Sequence, residues 1–481
     1  MNYKMIFYTV GKVVFIEACL LFLPLITALI YSEWWVAISF AITIAIAFAV
    51  YGLSKLCFTP KDMVIFSKEG LIIVSLAWLT MSVIGCLPFI ISGDIPSFVD
   101  ALFETVSGFT TTGSTIVSNV EGLSHGVLFW RSFTHWIGGM GVLVFVMAVA
   151  SKNNDRSIHI LRAEMPGPTV DKLVPRARDT AKILYLIYIV LTLVLIVFLL
   201  CGGMPLFDSI LHACGTAGTG GFGVKNDSLA GYSPYLQWVI SIFMFLFGIN
   251  FNLYYLILLG KVKDVLKSGE LWVYFTIVFV AIAVITGNIL TMCNSFGDAL
   301  RHSAFQVTSI ISTTGFSSTD FDLWPTLSKS VLLILMFIGG CAGSTAGGIK
   351  VSRVVLLGKS VSREFKRVLH PRSTSVIKSN GKRVDESTIN GVMSYLTVYV
   401  ACLIAVFLLI SFEPFGIETN LSAAVACFNN VGPGFSLVGP MLNFGCYSAF
   451  SKIVLTFAML LGRLEIYPIL LTLLPKTWLK K

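Results

Sequence analysis

FETVSGFTTTGS, residues 103–114, is the stretch on which the reading of this chain turns. About eight helix-compatible residues lead into a polar run that ends on Gly113. The same plan recurs in LHACGTAGTGGF (211–222), FQVTSIISTTGF (305–316) and SAAVACFNNVGP (422–433). The four align without gaps and bring Gly113, Gly221, Gly315 and Gly432 into register, at intervals of 108, 94 and 117 residues. Self-similarity of this kind marks one supersecondary unit used four times. TTTG, GTGG, STTG and NNVG are also ordinary turn compositions. Turn chemistry alone leaves unexplained why each follows a short apolar helix and why all four fall on one side of the charge map below.

The surrounding chain is built for lipid. Of 481 residues, 12% are charged and 56% hydrophobic, with a mean hydropathy of +0.85; a soluble protein carries about one charged residue in four. That excess of apolar side chains excludes a soluble enzyme, a disordered regulator and a secreted disulfide scaffold. The ten cysteines are scattered, with no C-x-x-C pair, and read as small packing residues. Roughly 20 apolar residues cross a bilayer as a helix, and ten stretches qualify: 12–31, 34–54, 70–93, 126–150, 181–203, 234–259, 271–293, 326–358, 389–412 and 447–474. Glu17 interrupts the first, which reads as a retained anchor and not a cleaved signal.

The expected fold is an all-α membrane protein. Two N-terminal helices (1–58) precede four pseudo-symmetric helix/pore-loop/helix repeats around a central pore, at 59–160, 161–268, 269–385 and 386–481. The third repeat carries a broken inner helix and a basic loop. Distributing Lys and Arg along these spans places 28 of 34 on the side of both termini and five on the other, with Arg463 inside a span. By the positive-inside rule both termini are cytoplasmic. Twelve of the 25 acids fall outside, so the overall charge of +9 is a sidedness effect and not a sign of nucleic acid.

Non-helical backbone at membrane depth survives only where protein or a watery cavity satisfies it. Four glycine tracts facing one axis would offer rings of carbonyl oxygens, the donors that replace the water around a potassium ion. Short helices aiming their negative C-termini at the same place would favour a cation there. A secondary carrier for another small solute, such as a cation-coupled symporter, is the alternative; carriers usually show inverted repeats, whereas these four share one orientation. An enzyme is not expected: the six histidines form no H-E-x-x-H helix or His–carboxylate cluster, and no nucleophile motif is present.

DALFETVSGFTTTGST (100–115), ISTTGFSSTDF (311–321), NNVGPGFS (429–436) and GGCAGSTAGGIK (339–350) resemble the motifs of the Trk/Ktr/HKT superfamily of potassium transporters. The two helices ahead of the first repeat point to its TrkH branch, and the resemblance spans essentially the whole chain. It implies potassium uptake across a bacterial inner membrane, with potassium as the transported ion and no organic cofactor in this chain. The implied ion-coordinating positions are Thr111, Thr112, Gly113, Thr219, Gly220, Gly221, Thr313, Thr314, Gly315, Asn430, Val431 and Gly432. Sodium-preferring plant relatives have serine in place of the first glycine; Gly113 implies potassium preference. GTGG and NNVG depart from TTTG and imply a ring of lower symmetry than that of a tetrameric channel.

Ten small residues, Gly339 to Gly348, interrupt the eighth span, five of them glycine (Gly339, Gly340, Gly343, Gly347, Gly348). At about 1 kcal/mol per glycine relative to alanine, the helix is expected to break there; a close small-residue helix contact is the other reading. The resemblance implies an intramembrane gate including Ser344, Thr345 and Lys350, with Arg463 as a cationic barrier beneath the ring. Without it, Arg463 reads as a structural anchor. Trp136 to Gly141 reads as a packing seam, and Glu104 either as a vestibule charge or as a buried buttress of its pore helix. No nucleotide-binding fingerprint is present. Nucleotide control would therefore come through the basic segments 152–182 and 350–388, and the resemblance implies a homodimer on a TrkA-like cytoplasmic ring.

Overall fold

The computed structural model describes residues 1–60, 66–139, 177–372, 376–379 and 382–478. Nearly all regular structure there is helical; the exception is a two-residue antiparallel ladder pairing Lys378–Ser379 with Lys382–Arg383. The expected architecture is present. Each repeat has an outer helix, a short pore helix and a return helix. These are Ser67–Gly85, Phe98–Phe109 and His125–Gly139 in the first, and Ala177–Cys201, Leu206–Gly218 and Pro234–Phe247 in the second. The third has Gly269–Ile289, Phe296–Ile311 and Thr326–Ile338, and the fourth Glu386–Ile410, Ile417–Phe428 and Ala449–Arg463.

The outer helices are apolar all round and leave much of that surface to lipid. Leu186, Leu193 and Val197 are exposed in the second, Phe279 and Val280 in the third, Ile404 and Leu408 in the fourth. The pore helices are the reverse: from Ala101 to Phe109 only Leu102 is less than buried. Their starts share one electrostatic device. Asp100, Asp208, Asp298 and Glu418 each occupy a first turn, where a carboxylate faces the positive end of the helix dipole. Ser97 and Ser295 add side-chain caps, accepting from the N–H groups of Asp100 and Asp298.

The two N-terminal helices, Tyr3–Leu20 (continuing as Phe22–Ile30) and Trp34–Cys57, pack on the first repeat. Glu33 clasps the start of its return helix, accepting from the N–H groups of His125 at 2.7 Å and Gly126 at 3.0 Å. The chain ends meet: the Tyr3 hydroxyl donates to the Trp478 carbonyl, and their rings stack.

Hydropathy overcounts the continuous spans. Among the described residues six helices are long and apolar enough to cross a membrane unbroken, and a seventh span is a pair bent by 90° between Phe247 and Phe251. The stretches read as continuous at 234–259 and 447–474 are both broken. The second, third and fourth return helices run for 14, 13 and 15 residues, or roughly 20 Å at 1.5 Å per residue, short of the ~30 Å hydrocarbon layer. The breaks are local: at Gly248–Asn250, Gly339–Lys350 and Leu464–Ile466 the chain closes back on the helix it leaves, with Ile249 donating to Leu246, Lys350 to Ile338 and Ile466 to Leu461. Residues 140–150 of the fourth stretch, with Met140 and Gly141 of the seam, and 152–176 of the first basic segment lie outside the described residues.

Candidate functional site

Every pore helix ends the same way. Thr111, Thr219, Thr313 and Asn430 take left-handed φ values of 55°, 56°, 55° and 55°. Each donates its N–H to the residue three back, and the next residue donates to the one five back: Thr112 to Ser107, Gly220 to Gly215, Thr314 to Ser309 and Val431 to Ala426, all at 2.8–2.9 Å. This is the Schellman closure, with threonine or asparagine where glycine is usual. One residue later Gly113, Gly221, Gly315 and Gly432 are left-handed again, at 81°, 74°, 83° and 105°. Two positive-φ residues separated by one throw the chain sharply off the helix axis.

The four tracts close into a ring. A Cβ on Gly113 would collide with the Gly220 carbonyl oxygen, one on Gly221 with that of Thr314, one on Gly315 with that of Val431. The circuit returns to its start: a Cβ on Gly432 would lie 2.7 Å from the Thr112 oxygen. Each glycine thus makes room for the carbonyl preceding the glycine of the next repeat, in chain order, and all twelve predicted positions are brought together. Above them an open cavity is lined by the four glycines with Lys225 and Asn226 among others.

A buried polar shell fixes the ring. Asn430 donates to the Thr112 hydroxyl and the Met459 carbonyl, both at 2.9 Å. Ser114 reaches the Gly432 carbonyl at 2.8 Å. Behind the first tract, Glu104 accepts from Arg131 Nε at 2.5 Å, with side-chain exposures of 0% and 2%. Glu104 also accepts from the Thr115 hydroxyl and the Ile116 N–H, while Arg131 reaches the Gly223 carbonyl at 3.1 Å and lies over the Phe222 ring. Of the two readings of Glu104 the buttress holds, and Arg131 is no free outer charge.

His135 is a residue the sequence reading missed. Its Nδ1 lies 2.8 Å from the Gly108 carbonyl, and Nε2 accepts the Phe222 N–H at 3.2 Å. Nδ1 therefore carries the proton. A Cβ at Gly220 would run into this imidazole, so the second tract lacks a side chain because a histidine from the first repeat fills the space. The signal was available: GTGG drops a side chain that TTTG, STTG and NNVG retain. Gly138 and Gly139 behave as the expected seam, packing on the Phe109 carbonyl and Gly218.

Beneath the ring the predicted Gly339–Lys350 segment is a loop, not a helix contact. Gly339 and Gly348 meet backbone to backbone at its neck, where a Cβ on Gly348 would fall 2.8 Å from the Gly339 Cα. Ile349 and Lys350 bond back to Phe337 and Ile338 at 3.0 and 2.9 Å. Ser344 bonds within the loop to the Cys341 carbonyl at 2.6 Å, and Lys350 folds onto the Ala346 carbonyl. The remaining ties come from the second repeat and from other elements of the third. Gly340 lies against the bend of the second repeat, where Cys341 donates to the Gly248 carbonyl at 2.9 Å and Phe251 to that of Gly343 at 3.0 Å. Glu270 accepts the Ala342 N–H at 2.7 Å. Gly347 donates to the Thr313 hydroxyl at 2.6 Å, joining loop to ring.

Arg463 bridges two repeats, donating to the Thr345 carbonyl of the loop and to the Gly138 carbonyl, both at 2.8 Å. Glu465, two residues on, pairs with Arg353 instead, at 2.6 Å. Among the described residues no group of three or more His, Cys, Asp or Glu is placed to hold a metal. The oxygens offered at the ring are amide carbonyls and hydroxyls.

Comparison with known proteins finds likeness along the whole chain. The TrkH family, described as cation transport protein, matches residues 37–270 and 264–479. The Trk system potassium uptake protein TrkH of Salmonella typhimurium is 35% identical over 99% of this chain and 100% of its own. The Trk system potassium uptake protein TrkG of Escherichia coli is 32% identical over 97% of each. The crystal structure of the potassium transporter TrkH from Vibrio parahaemolyticus superposes with a TM-score of 0.90 at 31% identity, covering both chains fully. With four closed tracts, two additional N-terminal helices and matches of this extent, the chain belongs to the TrkH family of cation transport proteins.

Proposed function

We propose that this chain takes up potassium across the bacterial cytoplasmic membrane, passing the ion from the outer cavity through the ring of four tracts. The observation that carries this reading is the cyclic closure of Gly113, Gly221, Gly315 and Gly432 on the carbonyls of Gly220, Thr314, Val431 and Thr112. Such packing leaves no room for side chains where the tracts meet and stacks amide oxygens around one axis, the ligand set suited to a dehydrated potassium ion. Thr111, Thr112, Thr219, Thr313, Thr314 and Asn430 supply carbonyls, with hydroxyls at the cytoplasmic end. Pore-helix C-termini add negative potential. The relatives named as potassium uptake proteins support the same cargo.

The loop Gly339–Lys350 is the obstruction in this proposal and Arg463 its clamp. Both lie directly below the ring, and the Arg463 guanidinium adds a positive charge that a cation must pass. Both termini face the cytoplasm, where the positive-inside distribution puts the basic segment 350–388. A homodimer works there with a nucleotide-binding cytoplasmic partner of the TrkA type, since the chain has no nucleotide fingerprint of its own. Anionic lipid meets the same basic surface.

Rubidium uptake into proteoliposomes tests the cargo. Uptake that potassium competes for and sodium does not is expected; a flux indifferent to which cation competes would overturn the reading. Co-purification with a TrkA-type protein, followed by flux with and without ATP, tests the partner, and a nucleotide-insensitive complex would remove it.

A further inference from the structure

Two residues one apart in sequence hold the loop and its exit. Arg463, the last residue of its return helix, grips the loop's middle at the Thr345 carbonyl. Glu465 holds the way out: Arg353 donates to it at 2.6 Å from the first turn of Val351–Leu369, the helix that leaves the loop. Arg353 is buried, lies 4.0 Å from the centre of the Tyr395 ring and also reaches the Ile349 carbonyl at 3.3 Å. The segment joining the two grips is strained. Glu465 and Ile466 have φ values of 55° and 68°, and for a β-branched, fully buried residue such as Ile466 that region is a genuine outlier. Strain of this kind persists only where the surroundings impose it. Here they are the Ile466 N–H bond to Leu461 at 2.8 Å on one side and the Arg353 pair on the other.

We propose that Arg353 and Glu465 form a positioning latch that couples the helix Val351–Leu369 to the hold of Arg463 on the loop. Arg463 and Glu465 are separated by Leu464 alone, so a shift of the helix that draws the Glu465 carboxylate also turns the backbone carrying Arg463. Helix position and loop release then become one two-state element. The latch rests on the loop being the obstruction, and the experiment keeps the two apart.

Rubidium uptake by the full chain in proteoliposomes, without any partner, is compared for Arg353→Ala, Glu465→Gln, the two combined, the charge exchange Arg353→Glu with Glu465→Arg, and a deletion of 341–346. Each single change is expected to raise basal uptake about tenfold. The combination should add nothing to either, and the exchange should return uptake toward the parent. A structural role alone predicts no rescue by exchange. Additive single effects, or an exchanged pair that leaks as much as the singles, overturn the latch. Single variants that match the parent beside a leaking deletion also overturn it while the obstruction stands; a deletion that does not leak removes the obstruction itself. If Arg353→Ala fails to express, Arg353→Lys, which keeps the charge and loses the fork, takes its place with the same outcomes.

Discussion

The ring and the loop below it are both irregular backbone rich in glycine, yet they are held in opposite ways. Each tract of the ring closes on its own pore helix through the same two N–H bonds, four times over. Among the described residues the loop's pattern of bonds is not repeated. Its ties reach into the second repeat at the Gly248 carbonyl and the fourth at Arg463, and to Glu270 and the Thr313 hydroxyl elsewhere in its own. A tract closed on its own pore helix moves with that helix. One held across repeats is released when any neighbour shifts, and that difference separates a fixed coordination frame from a movable obstruction.

The sharpest way to break the comparison is to unseat the frame. Glu104→Ala leaves Arg131 buried without its partner, which costs about 3–5 kcal/mol. The expected result is a large fall in the thermal stability of the purified protein and in rubidium uptake, unaltered by ionic strength. A loss of flux confined to low salt would return Glu104 to the role of vestibule charge. Next in size is Gly113→Ser. A Cβ in the left-handed region costs about 1–2 kcal/mol before its collision with the Gly220 carbonyl is counted. Preference for potassium over sodium should fall by at least about tenfold in competition assays, and an unchanged preference would take Gly113 out of the coordinating ring.

On the loop side, Arg463→Ala removes two charge-assisted bonds to carbonyls, each worth about 1.5–3 kcal/mol. Basal uptake should rise about tenfold while ion preference stays put. A variant that folds and leaks no more than its parent places the barrier elsewhere. The smallest effect is expected from Thr313→Val, which deletes the bond from the Gly347 N–H of the loop to the ring, worth about 1 kcal/mol. Uptake should rise by a factor of about five with the ring intact; a change in ion preference instead would show that the Thr313 hydroxyl serves the frame.

The repeats were legible because their signal is local: an apolar octet, a polar run and a glycine demanded by positive φ. The loop was legible for the same reason, since five glycines in ten residues oppose a helix. The break at Glu465–Ile466 carries no such mark. Neither residue favours a left-handed backbone, and what holds them there is Arg353, 112 positions earlier. Glu104 escaped a single reading because charge sorting counts a carboxylate as surface, whereas its burial depends on Arg131 from another helix. In the sequence His135 is one of six histidines that fall in no H-E-x-x-H helix or His–carboxylate cluster. Its part emerges only where the empty Gly220 position meets it.

Because the ring is written once along a single polypeptide, a codon change edits one quadrant and leaves three as they were. In an assembly of four identical subunits the same change is applied fourfold. The second quadrant has already diverged, trading a side chain for His135 while its neighbours kept theirs. Natural variation can thus adjust such a ring in quarter steps, each tested against an otherwise working structure.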